Sequence, residues 1–345
     1  MDIVVMKFGG TSVRDQSTRY HVFKHIRREV NAGYKVLVVV SAMGRVGEPY
    51  ATDTLKGLIE YHTSKKETDR LLACGEIISS IVMSDMLQRY GLNTMSISPQ
   101  ELGIKTDTNY TNSNIQDVNT MAILELFKEF DVLVAPGFVG VTEDGSVTTL
   151  GRGGSDTSAI AIGSALNAVY VDIYSDVEGV MTADPKLVKD ARLLKKISYD
   201  NLINLAARGA KVIHLKAIEL AKKNHVNLRL RSTLTEHIGT FVVDETVNTL
   251  SLTYQAGYTR YDLEGIQMPI ECEWLTKQGS CWYAQSHDEE HVDSYLKEHE
   301  IAFEKTENYV QVCWYNQQRT PVEVTFYVDA MKLEDTMNFL HYNLI

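Results

Sequence analysis

The sequence lacks the patterns that mark several large classes of protein. Its four cysteines contain no CxxC pair, which argues against a zinc site or a disulfide framework. No apolar run approaches the length needed to cross a membrane, and no signal peptide precedes the first apolar segment. We therefore expect a reduced, soluble, cytoplasmic protein.

Excess positive charge is also missing. The formal net charge at pH 7 is −11, which argues against nucleic acid or an anionic membrane surface as the main partner. The chain has 345 residues, of which 44% are hydrophobic and 23% are charged. Such a chain is an ordinary globular one, long enough for a large core and two domains.

The two common nucleotide signatures, Walker A and GxGxxG, are absent as well. Instead, an apolar strand near the N-terminus ends at Lys7, followed by Gly9, Gly10 and two hydroxyl residues. A helix capped by Thr11 or Ser12 would direct free N–H groups at an anion above the glycines. The alternative is a plain tight turn with a solvated lysine, and the glycine pair alone favours that alternative.

Strand and helix patterns alternate along the first 243 residues, which predicts an α/β fold with a parallel sheet. We assign strands to residues 35–41 and 169–174 and helices to residues 17–31, 68–90 and 115–130. In such sheets, ligands bind at the carboxyl ends of the strands.

Two stretches after the second strand are candidates for ligand contact. Residues 41–53 form a long loop whose length and Ser, Thr and Arg content favour a ligand loop over a plain connection. Glu76 follows Gly75 inside an apolar helix, where a glycine costs ~1 kcal/mol against alanine. A solvated glutamate and a partly buried one that faces a cationic ligand fit this local sequence equally well.

A second glycine motif at residues 150–158 opens a helix of small residues. Arg152 in this motif could clamp a carboxylate through two hydrogen bonds. Asp156 is either a first-turn aspartate favoured by the helix dipole or a partner for a metal or a lysine.

The amino-acid composition changes after residues 244–250, which are the best linker candidate. All three tryptophans and three of the four cysteines lie beyond it. We expect residues 1–243 to form one domain and residues 251–345 a second, α+β domain. Its apolar residues suggest a partner surface.

Taken together, these motifs resemble those of the aspartokinases of the amino acid kinase family. Lys-Phe-Gly-Gly-Thr-Ser-Val, Val-Ser-Ala-Met-Gly, Cys-Gly-Glu, Gly-Arg-Gly-Gly-Ser-Asp-Thr and Asp-Val-Glu-Gly-Val-Met-Thr-Ala-Asp-Pro recur there in this order. The resemblance is strongest to single-function bacterial enzymes of the lysine and diaminopimelate route. It implies an amino acid kinase-like sandwich with a mainly parallel central sheet and a divergent or shortened ACT-like C-terminal domain.

The resemblance further implies transfer of the γ-phosphate of ATP, with Mg²⁺, to the β-carboxylate of L-aspartate. Lys7 would neutralise the transferring phosphoryl group, and Asp156 would organise that lysine. The residues implied to contact L-aspartate are Ser41, Thr52, Glu76, Arg152, Gly153 and Ser155.

The same resemblance implies a set of nucleotide contacts and assigns no protein ligand to the metal. One member, Lys186, stands where the family usually has arginine. The implied nucleotide contacts are Lys7, Gly9, Gly10, Ser175, Asp176, Met181, Lys186 and Lys211.

Two other functions remain open at this point. One is an amino acid kinase that acts on glutamate, carbamate or a nucleotide monophosphate. The other is a non-catalytic amino-acid sensor or regulatory subunit. The resemblance to aspartokinases also implies a homodimer formed through the C-terminal domain.

Overall fold

The computed structural model describes residues 1–59, 63–210, 212–263, 274–299, 301–317 and 321–345. These residues form two compact units. The first comprises Met1–Val180, Leu193–Ala206 and Lys211–Thr246, and the second comprises Met181–Arg192, Ala207–Ala210 and Val247–Ile345. The linker at residues 244–250 stays a prediction, and the second unit takes up two short segments from earlier in the chain.

The first unit is built from short strands and helices in alternation. Its strands are β1 (Ile3–Phe8), β2 (Lys35–Val40), β3 (Thr94–Ser96), β4 (Ile104–Thr106), β5 (Ile115–Val118), β6 (Val132–Pro136), β7 (Val139–Val141), β8 (Val147–Thr149), β9 (Val171–Ser175), β10 (Lys196–Ser198), β11 (Leu228–Ser232) and β12 (Thr240–Val243). Its helices are α1 (Gly10–Val13), α2 (Gln16–Asn31), α3 (Thr52–Lys56), α4 (Lys65–Arg89), α5 (Pro99–Leu102), α6 (Met121–Leu126), α7 (Gly154–Ala165), α8 (Tyr199–Ala207) and α9 (Leu215–Lys223).

A central eight-stranded sheet has the order β10-β12-β11-β9-β1-β2-β6-β3. The six neighbours from β11 to β3 are parallel, and β12 runs antiparallel to β11. β1 and β2 are almost completely buried along their length, as expected for parallel strands covered on both faces. The predicted α/β fold with a mainly parallel sheet is therefore confirmed.

Helices α2 and α4 cover one part of this sheet with their apolar faces. Val22 and Ile26 of α2 and Met83 and Leu87 of α4 are buried in one core cluster with the strands.

By length and composition, α4 could also cross a membrane, so the expectation that no segment reaches that length is wrong. Of its most apolar window, 56% is buried inside the protein, as in the core helix of a soluble protein.

The helix predicted over residues 115–130 is wrong. Residues Ile115–Val118 form β5, which pairs antiparallel with β4 in a four-stranded sheet of order β5-β4-β7-β8. The Asn119 side chain then accepts a hydrogen bond from the backbone N–H of Met121, and only the single turn and a half of α6 follows. An available strand edge has overridden the local helical spacing here.

The second unit is an α+β arrangement around an antiparallel sheet. Its strands are β13 (Leu250–Leu263), β14 (Thr276–Gln278), β15 (Cys281–Gln285), β16 (Phe303–Gln317) and β17 (Pro321–Asp329), in the order β14-β15-β13-β16-β17. Its helices are α10 (Glu289–Glu298) and α11 (Leu333–Leu344). This agrees with the α+β domain expected from the sequence.

The segment Met181–Arg192 is part of the core of this second unit. Ala183 and Val188 are buried in one cluster with Leu252, Val312 and Met337. The backbone of Leu252 donates to the Thr182 carbonyl at 2.8 Å, and the Thr182 hydroxyl lies 2.9 Å from His341 Nε2.

A buried ion cluster joins two central strands of the first unit. Asp172 on β9 is fully buried, and its carboxylate accepts hydrogen bonds from Arg229 at 2.5 and 2.7 Å and from Arg231 at 3.0 Å. Both arginines lie on β11, directly beside β9. Arg231 is itself only 2% exposed, so loss of the aspartate would leave a buried cation whose remaining described carboxylate partner, Glu29, is 3.9 Å away.

We expect Asp172→Ala to lower the free energy of unfolding of the first unit by about 3–5 kcal/mol, because it breaks a buried ion pair from one side. Urea denaturation followed by circular dichroism measures this change. Asp85→Ala is the matched control, since Asp85 forms an exposed pair with Arg89 and should contribute less than about 1 kcal/mol. Equal effects of the two variants would contradict the assignment.

Candidate active site

The motif-bearing loops converge because the strands that precede them are parallel and in register. Phe8 at the end of β1 pairs with Val40 at the end of β2 and with Tyr174 near the end of β9. The turns that begin at Gly9, Ser41 and Asp176 therefore leave the same edge of the sheet. This edge is the candidate active site.

The first turn and the loop after β2 are bonded to each other. The backbone N–H of Gly44 donates to the Gly10 carbonyl at 3.0 Å, and that of Ser41 donates to Phe8 at 3.1 Å. A Cβ on Gly10 would lie 2.5 Å from the Ala42 carbonyl oxygen, which explains the glycine by backbone packing.

The expected cap at Thr11 or Ser12 is wrong. The helix α1 is a single turn preceded by Gly9, and no side chain caps it. Ser12 is buried, and its hydroxyl lies 2.6 Å from that of Thr233. The long helix α2 is capped instead by Asp15, which accepts a hydrogen bond from the backbone of Thr18.

Lys7 and Asp156 form an ion pair at this edge. The distance from Lys7 Nζ to Asp156 Oδ1 is 2.6 Å, and the two side chains are 12% and 13% exposed. Asp156 lies in the first turn of α7, which begins after Gly153 in a left-handed conformation (φ 74°). A Cβ on Gly153 would lie 2.3 Å from the His214 ring, so the turn requires glycine.

Glu76 is buried, which excludes a solvated glutamate, the first of the two interpretations of its local sequence. Its side chain is 2% exposed, and its Oε1 accepts a hydrogen bond from the Ala42 backbone at 3.1 Å. Burial raises the pKa of Glu76 to about 8, although the Ala42 N–H and the nearby Thr52 hydroxyl oppose that shift. Within the described part of the chain, Oε2 has no hydrogen-bond partner.

Gly75 has a packing reason inside α4. A Cβ there would lie 2.9 Å from both Ala42 Cβ and the Tyr50 carbonyl oxygen. The helix therefore lies directly against the loop that carries Ser41 and leads to Thr52, which brings both residues close to Glu76.

The glycine motif before α7 presents a free cation. Arg152 is exposed, and it forms no ion pair with any residue in the described ranges. Ser155 is largely buried beside it in the first turn of α7. Gly151 precedes Arg152 with a left-handed backbone (φ 72°).

Two of the nucleotide contacts implied by the resemblance lie where β9 ends. Asp176 lies at the sheet edge, where its carboxylate forms an exposed ion pair of 3.0 Å with Arg45 from the loop after β2. Ser175 ends β9, and its hydroxyl lies 3.3 Å from the backbone N–H of Val177. Arg45 had no role assigned from the sequence, although its loop was a candidate.

Three suggested nucleotide contacts remain. Met181 and Lys186 belong to the segment Met181–Arg192 of the second unit. There the backbone N–H of Lys186 donates to the Asp184 carboxylate at 2.9 Å. Lys211 lies outside the described residues.

Sequence reasoning also missed Asp69, a fully buried carboxylate on α4. It lies seven residues before Glu76, which is two helical turns and therefore the same face of the helix. That spacing was a signal available in the sequence.

Known proteins with similar sequences include several aspartokinases. Aspartokinase 1 of Bacillus subtilis (strain 168) is 46% identical over 245 residues, which are 70% of this chain and 61% of that protein. An aspartokinase of Geobacillus stearothermophilus is 44% identical over 248 residues, covering 71% and 60%. The chain thus spans about 60% of the length of the curated relatives it matches.

Solved structures share the fold at lower identity. The structure of E. coli aspartokinase III in complex with lysine and aspartate matches with a TM-score of 0.77 at 21% identity, and covers 100% of both chains. The complex of the same enzyme with aspartate and ADP matches with a TM-score of 0.72, also at 21% identity, and covers 99% of this chain and 100% of that one. The model of the amino acid kinase family matches residues 2–232, so this chain belongs to the amino acid kinase family.

Proposed function

We propose that this chain is an aspartate kinase. It transfers the γ-phosphoryl group of ATP to the β-carboxylate of L-aspartate and gives 4-phospho-L-aspartate and ADP, the first step of lysine, threonine and methionine biosynthesis. The observation that carries the proposal is the Lys7–Asp156 ion pair at the same sheet edge as the buried carboxylate of Glu76. Relatives named aspartokinase at 46% and 44% identity support it.

The residues at the first turn fit a polyphosphate. Lys7 supplies a positive charge, and Gly9 has no Cβ that would obstruct an approach to its backbone. The E. coli aspartokinase III whose fold this chain shares was solved with ADP. Bound ATP would supply the phosphoryl group, and Mg²⁺ would be held mainly by phosphate and water oxygens, its usual ligands.

The glycine motif before α7 and the end of β9 complete the proposed nucleotide site of the first unit. Asp156 fixes the ammonium of Lys7, while Gly10, Ser175 and Asp176 belong to the turns at the sheet edge. We assign further nucleotide contacts to Met181, Lys186 and Lys211 from the family resemblance.

The proposed aspartate site has one group for each of the two charges attached to the α-carbon of the substrate. Glu76 takes the ammonium and Arg152 takes the α-carboxylate, because a guanidinium pairs well with a carboxylate. Ser41, Thr52, Gly153 and Ser155 line the same site. The β-carboxylate of the substrate is already a nucleophile at neutral pH, so the reaction depends on positioning and charge neutralisation and needs no general base.

We also propose that the protein is a cytoplasmic homodimer that associates through the second unit. Phe339 and Tyr342 on α11 are 67% and 87% exposed, and Met331 in the preceding turn is 93% exposed. Large apolar side chains that are exposed to this extent are typical of a partner surface.

We expect purified protein to release ADP with L-aspartate as substrate, and Lys7→Ala to lower kcat by at least about 10²-fold. The lysine acts on charge that develops in the transition state, and removal of one such group typically costs about 10²–10³-fold. A coupled ADP-release assay measures both, with L-glutamate and no acceptor as parallel reactions.

Lys35→Ala is the matched control, because Lys35 forms a similar 2.8 Å ion pair with Asp131 at the amino end of β2. It should leave kcat within about twofold. Turnover of L-glutamate in place of L-aspartate would favour another amino acid kinase, and no turnover of any acceptor would favour a non-catalytic sensor. An unchanged kcat in Lys7→Ala would remove Lys7 from its role.

The raised pKa of Glu76 predicts a pH-dependent KM for L-aspartate. Below pH 8 the free protein holds Glu76 protonated, and binding of the substrate ammonium requires loss of that proton. KM should therefore fall as pH rises from 6 to 8, by up to about tenfold per pH unit, and level off above 8. Glu76→Gln should abolish this dependence and raise KM at pH 8.5 by at least tenfold, with KM for ATP unchanged.

The control is Glu67→Gln on the same helix. Glu67 is exposed and caps α4, a role that glutamine also fills, so its KM profile should match the wild type. If Glu76→Gln keeps the wild-type pH profile, a group other than Glu76 causes the pH dependence of KM.

We expect the second unit to support a dimer but not feedback inhibition by lysine or threonine, because its tail is short and divergent from paired regulatory ACT modules. Light scattering should give twice the monomer mass of 38.8 kDa. Activity should stay constant with each amino acid at millimolar concentration, alone and together. Strong inhibition would show that an effector pocket persists, and a monomer mass would refute the dimer.

A further inference from the structure

Asp69 is a buried carboxylate that serves only as a hydrogen-bond acceptor. It is 0% exposed, and it forms no ion pair with any residue that the structure describes. The backbone N–H of Thr111 donates to both of its oxygens, at 3.1 and 3.0 Å. The backbone N–H and hydroxyl of Thr149 donate to it at 2.9 and 2.6 Å. A buried carboxylate is stable only when its oxygens are satisfied in this way.

The bonds to Thr111 hold a strained backbone. Thr111 has φ 74°, in the left-handed region that a β-branched residue rarely adopts. Such a conformation persists only where its surroundings fix it, and Asp69 supplies two of the contacts that do so. Ser113 in the same loop donates its backbone N–H to the Thr149 carbonyl at 2.9 Å.

This loop in turn shapes the backbone beside Arg152. Gly151 has φ 72°, and a Cβ on it would lie 2.5 Å from Asn112 Oδ1 and 3.4 Å from the Thr111 carbonyl oxygen. The turn that presents Arg152 is therefore packed against the loop that Asp69 fixes.

Asp69 is rigidly linked to Glu76 through α4. Both residues lie on one face of α4, separated by two turns or about 10 Å along the axis. Thr149 ends β8 and lies three residues before Arg152. Asp69 is thus the point at which the helix of Glu76 is joined to the strand that leads to Arg152.

We propose that Asp69 is a positioning residue for substrate recognition, which fixes Glu76 and Arg152 relative to each other. The inference rests on the proposed function, in which those two groups take the ammonium and α-carboxylate of L-aspartate. Both of these substrate groups are attached to the same carbon as the arm that carries the β-carboxylate. The fixed positions of Glu76 and Arg152 select the L-configuration together with a third point, because the β-carboxylate must also reach the phosphoryl group of the nucleotide.

The direct test is Asp69→Asn. An asparagine keeps the size of the side chain but turns an NH₂ group toward N–H donors, so at least one bond is lost. We expect Kd and KM for L-aspartate to rise at least tenfold, with KM for ATP within twofold. The ratio of the Kd values of D- and L-aspartate, measured by calorimetry, should fall at least fivefold.

Two further variants separate positioning from a merely structural role. Thr149→Val removes one of the four hydrogen bonds with little change in volume, and should lower the same ratio about twofold. Thr111→Gly, combined with Asp69→Asn, should restore part of the ratio, because glycine adopts φ 74° without strain. Asp85→Asn, exposed on the same helix, is the control and should change nothing.

The outcomes distinguish this inference from the proposed function. A wild-type protein that neither binds nor phosphorylates L-aspartate refutes the function itself. A wild type that does both, with variants whose D/L ratio is unchanged or whose affinities for ATP and aspartate fall together, refutes the positioning role. If Asp69→Asn does not fold by circular dichroism, the ratio measured for Thr149→Val decides.

Discussion

Parallel pairing of β1 with β2 on one side and β9 on the other is the constraint on which the first unit depends. Because the register aligns Phe8 with both Val40 and Tyr174, three loops distant in sequence begin at one level of the sheet. Each strand contributes only a few apolar residues, yet together they determine where the charged side chains of the loops can lie. The positions of the charged side chains at this edge therefore depend first on the strand register and only then on the conformation of each loop.

Close backbone packing then fixes the loops themselves. Gly10 and Gly75 are glycines because neighbouring chain passes within 3 Å of where a Cβ would be. Burial against this packed chain raises the pKa of Glu76. This edge of the sheet thus holds the Asp156 carboxylate beside the Lys7 ammonium, whereas Glu76 has no ion-pair partner among the described residues.

The sequence predicts most of the alternating elements, because buried strands and glycine turns leave strong local signals, whereas the roles assigned to residues at the sheet edge come from the family resemblance. It fails where a distant partner decides the outcome. Ile115–Val118 is a strand because the edge of β4 is available, and Ser12 bonds to Thr233 instead of capping a helix. For Asp69, the spacing from Glu76 indicates only a shared helix face, because the hydrogen bonds that satisfy its carboxylate come from Thr111 and Thr149, far away in the chain.

The segment Met181–Arg192 makes the two units inseparable by a single cut of the chain. The polypeptide leaves the first unit after Val180, contributes Ala183 and Val188 to the core of the second, and returns at Leu193. A gene truncated after the first 246 codons would still encode this excursion but not Leu252, Val312 or Met337, against which it packs. Recombination that exchanges C-terminal domains among such proteins must therefore also preserve complementarity to a dozen residues encoded far upstream.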